Sequence, residues 1–271
     1  VNSEGIHPSL VPNGTDFNLF HEASKPIPDK EIQNLPKPIL GYYGAIADWF
    51  DTELIGGLAT LHPEWTFVLI GNTFLADLEP LRGKTNVHLL GEKPYSELPS
   101  YLSHFDVCLI PFKDIPLTQA TNPVKLYEYL SAGKPVVATK LQELAYFSDY
   151  ASLAQTTKEW EIAIQNSLKE KKTSLLLQER YDFAKKNTWE VRANFIEDEM
   201  LKLFPKVSII IVSYNNWQYT KQCIESIQRN TSYPNYEIII IDNASNNRTV
   251  AYLKDIESKN EKIKFLLNKQ N

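Results

Sequence analysis

The sequence predicts an α/β protein whose main part is a Rossmann-like, doubly wound parallel sheet. Short apolar runs rich in β-branched and aromatic residues recur through the first half of the chain, and stretches with helical periodicity separate them. The runs are too continuous for strands that have one face in solvent. We therefore expect strands that are buried on both faces and joined by helices.

The elements of this sheet can be assigned in chain order. The predicted strands are Ile39–Tyr43, Thr66–Ile70, Val87–Leu90, Val107–Ile110 and Pro135–Ala138. Between them, leucines at helical spacing (Leu54, Leu58 and Leu61) predict one helix, and the apolar positions from Leu98 to Phe105 predict another behind a Ser96 cap. Asp48 and Asp51 precede the first of these helices, and we expect them to cap it.

A long helix is predicted to close this unit. Behind a Thr188 cap, five apolar residues recur at helical spacing and form one stripe: Trp189, Ala193, Ile196, Met200 and Leu203. We expect this stripe to pack against another element.

A second α/β unit is predicted to begin at Val207. The apolar runs Ile209–Val212 and Ile238–Ile241 suit buried strands, and a helical pattern lies between them. Because Pro205 breaks the preceding helical pattern, the predicted domains are residues 1–205 and 206–271. The second is too short for a complete doubly wound domain, and the chain does not start with Met. We therefore expect a window cut from a longer protein.

Composition excludes several classes of protein. With 43% apolar residues in 271, the chain is not disordered, and its net charge of −5 disfavours nucleic acid as a partner. Cys108 and Cys223 are far apart, so we expect reduced, buried thiols and neither a disulfide framework nor a zinc finger. The histidines show no metal-ligand spacing. No apolar run approaches the roughly 20 residues that span a bilayer, so we expect a cytoplasmic protein, at most at the inner face of the membrane.

The segment Thr121–Thr139 carries the strongest chemical signal. Asn122 is predicted as the N-cap of a helix that starts at Pro123, and Gly133 as the residue that stops it. A helix N-terminus at the carboxyl edge of a parallel sheet can bind an anion. Lys125 in the first turn opposes the helix dipole unless a negative group such as a diphosphate lies beside it. Glu128, on the same face, could accept hydrogen bonds from ribose hydroxyls. A capped surface helix with an ordinary Lys–Glu pair fits the same spacing.

This segment, TNPVKLYEYLSAGKPVVAT, resembles the donor-binding signature of glycosyltransferase family 4, the retaining enzymes of the GT-B fold. Further segments resemble that family in the same order: VPNGTDFNLF, GYYGAIADWFD, FVLIG and NVHLLGEKPYSELPSYLSHFDVCLIPF. The resemblance covers about residues 10–204. It implies the C-terminal, nucleotide-sugar-binding half of a GT-B enzyme.

The resemblance implies roles for particular residues. Glu128 matches the signature glutamate that holds the nucleotide ribose. The stretch that contacts the donor phosphates is matched by Thr121, Asn122, Val124 and Lys125, and the segment whose backbone contacts the base by Gly91, Glu92 and Lys93. Gly44 lies in the family's first glycine loop, where it would allow close approach of the backbone.

Two departures from the family pattern bear on catalysis. Ala120 stands where the family has its first signature glutamate, and Ala45 stands where it often has an arginine. Lys125 is therefore the candidate cation for the diphosphate, and Lys125 with Glu128 forms the predicted catalytic pair. No cofactor is expected in this domain, because the nucleotide diphosphate sugar is itself the donor substrate.

The second unit, VSIIIVSYNN…YEIIIIDNASNN, is similar to the start of glycosyltransferase family 2, which has the GT-A fold. The resemblance implies that Asp242 contacts the base or ribose and that Ser213 and Tyr214 line the same pocket. An Asx turn at the end of a strand is the alternative role for Asp242. The family's metal-binding D-x-D and catalytic base would follow residue 271. A divalent metal is therefore expected only for the complete second domain, and no metal residue is assigned.

Together these observations predict a bacterial glycosyltransferase of polysaccharide biosynthesis. It would transfer a hexosyl group from a nucleotide diphosphate sugar to a glycan or lipid-linked acceptor, and the full-length protein could associate peripherally with a membrane. The 271 residues alone are expected to bind a donor weakly and to be nearly inactive. A nucleotide-sugar epimerase and a non-catalytic nucleotide-sugar-binding or scaffold module remain as alternatives. The absence of G-x-G-x-x-G disfavours a nicotinamide dehydrogenase.

Overall fold

The computed structural model describes residues 8–170 and 175–270. The chain divides into two compact units, the first ending at Ala193 and the second beginning at Asn194. This division falls within a helix that spans Trp189–Lys202. The predicted domain boundary near residue 205 stays a prediction, and each unit is described by itself.

The first unit is built on a six-stranded parallel sheet with strand order β3-β2-β1-β4-β5-β6. Its strands are β1 (Ile39–Tyr43), β2 (Thr66–Ile70), β3 (Val87–Leu89), β4 (Val107–Ile110), β5 (Val136–Thr139) and β6 (Ser152–Ala154). Every residue of β1, β2, β4 and β5 is buried, which confirms strands covered on both faces. The sequence did not predict β6, a three-residue edge strand with one fully buried side chain.

Helices of the first unit connect or flank these strands. They are α1 (Phe17–His21), α2 (Thr52–Leu61), α3 (Leu98–His104), α4 (Pro116–Gln119), α5 (Val124–Ser131), α6 (Thr157–Leu168) and α7 (Leu175–Lys185). The next helix, α8 (Trp189–Lys202), contains the division between the two units. The predicted Asp51 cap is confirmed, because its carboxylate accepts a hydrogen bond from the Leu54 amide at 2.8 Å. The predicted face of α2 is partly wrong: Leu61 is exposed, and Ile55 and Leu58 make the core contact.

The predicted packing of α8 is also wrong. Thr188 does cap the helix, since its hydroxyl accepts from the Val191 amide at 3.2 Å. However, α8 has no buried residue, and Trp189, Met200 and Leu203 are all exposed. The stripe is regular in sequence, but no described residue covers it.

The strand order reverses between β1 and β4, which places a topological switch point at the carboxyl ends of these two strands. β2 pairs with one edge of β1 and β4 with the other, so the loops after β1 and β4 leave in opposite directions. Open α/β sheets bind ligands in the crevice that this divergence creates. The fold therefore puts the candidate site at this edge.

The second unit contains a three-stranded parallel sheet. Its elements are β7 (Val207–Ser213), α9 (Trp217–Asn230), β8 (Tyr236–Asp242), α10 (Thr249–Lys259) and β9 (Ile263–Leu267), with strand order β7-β8-β9. One face of the sheet packs against the two helices through Ile238 and Ile240.

Two predictions for this unit need correction. Ile210 and Val212 were expected to be buried, but they are exposed, because α9 and α10 pack against the opposite face of the sheet. Cys223 on α9 is exposed, whereas Cys108 on β4 is buried as expected. Within the described residues, no helix has the length and apolar character needed to cross a membrane.

Candidate functional site

A cavity of about 720 Å³ lies at the switch point of the first sheet. This volume is within the range typical of small-molecule sites. Eight of the residues predicted for the donor site line it: Gly44, Glu92, Lys93, Thr121, Asn122, Val124, Lys125 and Glu128. Gly91 does not line the cavity, although its carbonyl accepts a hydrogen bond from the amide of Gly71, which does. The structure therefore brings together residues that are far apart in the sequence.

Backbone hydrogen bonds hold the loops after β1 and β2 together at the cavity floor. The Gly44 amide donates to the Ile70 carbonyl at 2.9 Å, and the Ile46 amide donates to the Asn72 carbonyl at 2.8 Å. Gly44 has a φ of +128°, which only glycine adopts readily. A Cβ added there would lie 2.8 Å from Cε of Lys125. Gly44 is thus required both for the backbone conformation and for the position of the lysine.

Lys125 projects from the first turn of α5 over two aromatic rings. Its Nζ lies 5.1 Å from the centroid of Tyr42 and 5.2 Å from that of Phe112, which are cation–π distances. Across residues 8–170 and 175–270, its ammonium has no hydrogen-bond acceptor and no ion-pair partner. Burial lowers the pKa of Lys125 to about 8, although the charge of Glu128 acts in the opposite direction. Such a cation is poised to pair with an incoming anion.

The N-terminus of α5 differs from the prediction. Pro123, with extended backbone angles, occupies the N-cap position, and no side chain caps the helix. The Asn122 side chain is engaged elsewhere: its Oδ1 accepts from the Asn13 amide at 3.2 Å and from the Tyr127 hydroxyl at 3.0 Å. The distant Asn13 and the nearby Tyr127 therefore occupy the oxygen that was expected to cap the helix. The uncapped first turn opens into the cavity, where unpaired amides can bind an anion.

Glu128 is a buried carboxylate in the wall of the cavity. Its side chain lies one helical turn from Lys125 on α5, and its Oε1 accepts a hydrogen bond from the Tyr95 hydroxyl at 2.9 Å. Burial raises the pKa of Glu128, while the hydroxyl of Tyr95 and the charge of Lys125 lower it. The carboxylate can therefore accept hydrogen bonds from hydroxyl groups of a ligand.

Five aromatic residues of the site were missed by the sequence analysis: Tyr42, Tyr43, Trp49, Tyr95 and Phe112. They contribute much of the apolar wall, and Tyr42 and Phe112 also hold Lys125. A signal for three of them was present, since Tyr42, Tyr43 and Phe112 each lie at or just after the carboxyl end of a predicted strand. Aromatic residues at those positions face the ligand crevice of an open α/β sheet.

The cavity departs from the family pattern in its charges. Ala45 lines it, while Ala120 is exposed and lies outside it. Lys93 lines it as well, but its Nζ forms an ion pair with Glu31 at 2.7 Å. Glu92 is exposed beside it. Among the described cavity residues, Lys125 is thus the cation that no carboxylate neutralises.

In the second unit, two of the predicted residues, Ser213 and Asp242, already have hydrogen-bond partners within the chain. Asp242 is fully buried, and its carboxylate accepts from the Ser245 amide at 2.8 Å and from the Ser245 hydroxyl at 2.6 Å. Ser213 shares a 2.9 Å hydrogen bond with Thr220, and Tyr214 is exposed. Asp242 thus holds the loop after β8 through the amide three residues on, and not through the Asx turn, which would use the amide two residues on. A nucleotide role for these three residues stays a prediction. The described residues contain no cluster of metal-ligating side chains.

Comparison with known families finds two glycosyltransferase families that match successive parts of the chain. Residues 38–169 match the family described as glycosyl transferases group 1, and residues 208–271 match glycosyl transferase family 2. The two matches occur in the order that the motifs predicted.

Among curated proteins, a Bacillus subtilis (strain 168) protein named as a teichuronic acid biosynthesis glycosyltransferase, TuaH, is 38% identical over 143 residues. That alignment covers 51% of this chain and 35% of TuaH. An uncharacterized glycosyltransferase of Haemophilus influenzae is 40% identical over 67 residues, which are 25% of this chain and 20% of that protein. The chain thus spans about a third or less of the length of these relatives.

Solved structures support the same fold. Anabaena Alr3699/HepE, in complex with UDP and glucose, aligns with a TM-score of 0.53 and 22% identity over 70% of this chain and 55% of its own. OtsA in its apo form aligns with a TM-score of 0.52 and 16% identity over 69% of this chain and 49% of its own. The first unit therefore has the Rossmann-like architecture of a GT-B half.

Proposed function

We propose that the first unit binds the nucleotide diphosphate sugar donor of a hexosyl transfer, with the diphosphate beside Lys125 and the N-terminus of α5. The observation that carries this proposal is the partly buried ammonium of Lys125, which lies in a cavity at the switch point and has no ion-pair partner among the described residues. A cation in this position is costly unless an anion joins it. HepE, which shares the fold, was crystallised in complex with UDP and glucose.

In the proposed reaction, the bond between the sugar's anomeric carbon and the diphosphate oxygen breaks, and a bond to an acceptor hydroxyl oxygen forms. The electron pair of the broken bond stays on the diphosphate, and the acceptor's proton is released. Lys125 and the uncapped amides of α5 stabilise the negative charge that develops on the leaving group. Because a protein cation is already in place, we propose that this step needs no metal ion.

The finer features of the proposal rest on the family resemblance. They are retention of anomeric configuration, a surface glycan or lipid-linked acceptor, and a role in polysaccharide biosynthesis, to which the name of TuaH also points. For the second unit we propose the start of a GT-A domain, in which a divalent metal would act only in the complete domain. A cytoplasmic location, with the full-length protein at the inner face of the membrane, stays a prediction.

The proposal is tested by measuring UDP binding calorimetrically. Lys125→Met should weaken affinity about 30-fold, since a charge-assisted contact in a partly desolvated site contributes about 2 kcal/mol. Glu128→Gln should weaken it as well. Lys84→Met is the control, because Lys84 lies outside the cavity and its ammonium contacts Thr60. Addition of EDTA should leave the affinity unchanged.

Two outcomes would favour the alternatives. If Lys125→Met binds UDP as well as the original protein, the donor-site assignment fails. If donor binding is intact but the full-length enzyme transfers no sugar, a non-catalytic nucleotide-sugar-binding module is the better description. Detection of an epimerised free nucleotide sugar would indicate an epimerase.

A further inference from the structure

Tyr95 is the exposed side chain that hydrogen-bonds to the buried Glu128. It begins a short 3₁₀ turn, Tyr95–Glu97, in the loop between β3 and α3. Its hydroxyl donates to Oε1 of Glu128 at 2.9 Å, and its ring lies edge-to-face on Phe20 with centroids 5.3 Å apart. The ring is 48% exposed and lines the cavity, whereas Glu128 is 3% exposed.

Other polar groups near Glu128 do not replace this contact. The Tyr43 hydroxyl, buried in the same wall, also acts on Glu128 and lowers its pKa, but its geometry falls outside that of a hydrogen bond. Lys125 lies one turn away on α5 and forms no ion pair with Glu128 among the described residues. Two further titratable groups act on this pair: Asp16, whose charge raises the pKa of Tyr95, and Tyr129, whose pKa is raised by the charge of Glu128. Tyr95 is therefore the residue that supplies a direct hydrogen bond to the carboxylate.

A buried carboxylate needs such a bond to stay charged. Burial disfavours the ionised form and raises its pKa, whereas a donated hydrogen bond stabilises that form and lowers its pKa. Once protonated, the carboxyl loses part of its capacity to accept hydrogen bonds from ligand hydroxyls. Orientation matters equally, because two adjacent hydroxyls can be held together only by a carboxylate that is fixed in place.

We infer that Tyr95 is a positioning residue, which acts through Glu128 and not as a catalytic residue. Its hydroxyl keeps the Glu128 carboxylate ionised and fixed in the cavity wall, ready to accept hydrogen bonds from the two adjacent hydroxyls of the donor's ribose. This inference rests on the proposed donor site and extends it to a residue in another loop.

The test compares Tyr95→Phe with Tyr233→Phe. Tyr233 is the control, since its hydroxyl also donates a hydrogen bond, to the Pro205 carbonyl at 2.6 Å, and it lies in the second unit outside the cavity. Calorimetric titrations with UDP and with 2′,3′-dideoxy-UDP are made at several pH values between about 5 and 8, above the ordinary glutamate pKa, because burial raises the pKa of Glu128.

For Tyr95→Phe we expect UDP affinity to fall about tenfold near neutral pH, as removal of one hydrogen bond to a charged group implies. The pH below which UDP affinity is lost should rise by about one unit. Affinity for the dideoxy nucleotide should not change, because the hydroxyls that need Glu128 are absent. Tyr233→Phe should behave like the original protein with both nucleotides.

The outcomes separate this inference from the proposed function. If Lys125→Met and Glu128→Gln lose UDP affinity but Tyr95→Phe keeps both the affinity and the pH dependence, the role of Tyr95 is refuted alone. Equal losses for UDP and dideoxy-UDP in Tyr95→Phe would also refute it, since they indicate a merely structural role. If the original protein binds no UDP at any pH, the donor site itself is refuted.

Discussion

Tyr42 and Tyr43 are neighbours at the end of β1, and their hydroxyls have opposite environments. The Tyr42 hydroxyl donates to the Ala45 carbonyl at 2.8 Å, while the buried Tyr43 hydroxyl has no partner among the described residues. A buried polar group without a hydrogen bond destabilises the fold, whereas a paired one contributes about 1 kcal/mol.

We therefore predict different effects of two identical substitutions. Tyr42→Phe should lower the free energy of unfolding by about 1 kcal/mol, because a hydrogen bond is lost. Tyr43→Phe should change it by less than about 0.5 kcal/mol, because its hydroxyl makes no hydrogen bond and the gain from removing it is offset by the lost interaction with the Glu128 carboxylate. Urea denaturation of both variants measures this difference. A loss of stability in Tyr43→Phe as large as in Tyr42→Phe would contradict the prediction.

The lysine of the cavity should make stability depend on pH. Its pKa is about 8 in the folded protein against 10.5 ordinarily, so the unfolded chain holds the proton more tightly. The charged ammonium therefore opposes folding below about pH 8, and this penalty disappears as the pH rises towards 10.5. Lys125→Met lacks the penalty at every pH.

Between about pH 8 and 10.5, the free energy of unfolding of the original protein should therefore increase relative to that of Lys125→Met. Urea denaturation at several pH values gives the free energy of unfolding of each protein. Taking the difference between the two proteins removes the effect of tyrosines that titrate in both. Parallel stability curves would show that the lysine is not buried as described.

At the scale of elements, α2 contains two adjacent glycines in different surroundings. A Cβ on Gly56 would lie 2.3 Å from the Pro80 carbonyl oxygen, which is backbone and cannot move easily. A Cβ on Gly57 would meet nothing within 4 Å. Both residues are in the helix, where alanine is otherwise favoured over glycine by about 1 kcal/mol.

Gly57→Ala should therefore raise the free energy of unfolding by about 0.5–1 kcal/mol, while Gly56→Ala should lower it by about 1–3 kcal/mol through overpacking. Thermal unfolding of the two variants compares them directly. The same sign of change in both would show that α2 does not pack on the 3₁₀ turn at Glu79–Leu81 as described.

The sequence predicted those elements whose residues determine them locally. Central strands such as β1 and β2 could be located because each is apolar along its whole length, a pattern that requires cover on both faces. The N-terminus of α5 could not be predicted in this way, because Asn122 is held by Asn13 from a distant part of the chain. Likewise, nothing local shows that Tyr95 reaches Glu128. Lys125 and Glu128 were predictable from their helical spacing, whereas Gly44, Glu92 and Lys93 were predicted from the family resemblance.

At the scale of the whole molecule, the candidate donor site belongs entirely to one unit. Its lining residues run from Asn13 to Glu128, and all lie in the first unit. We therefore predict that a polypeptide of residues 1–205 binds UDP with an affinity within about twofold of the 271-residue chain, a difference well below 1 kcal/mol.

Calorimetry on the shortened and the longer polypeptide tests this prediction. Circular dichroism of the shortened polypeptide serves as the control for folding. A loss of affinity in a folded 1–205 polypeptide would show that residues after 205 contribute to the site.

The environment of Lys125 also has a consequence for chemical reactivity. An amine with a pKa of about 8 is roughly half unprotonated at pH 8, whereas an ordinary lysine is unprotonated there to less than about 1%. Lys125 should therefore be a selective nucleophile towards amine-acylating reagents under mild conditions. Bound nucleotide would protect it, so the extent of acylation would report occupancy of the cavity without any assay of sugar transfer.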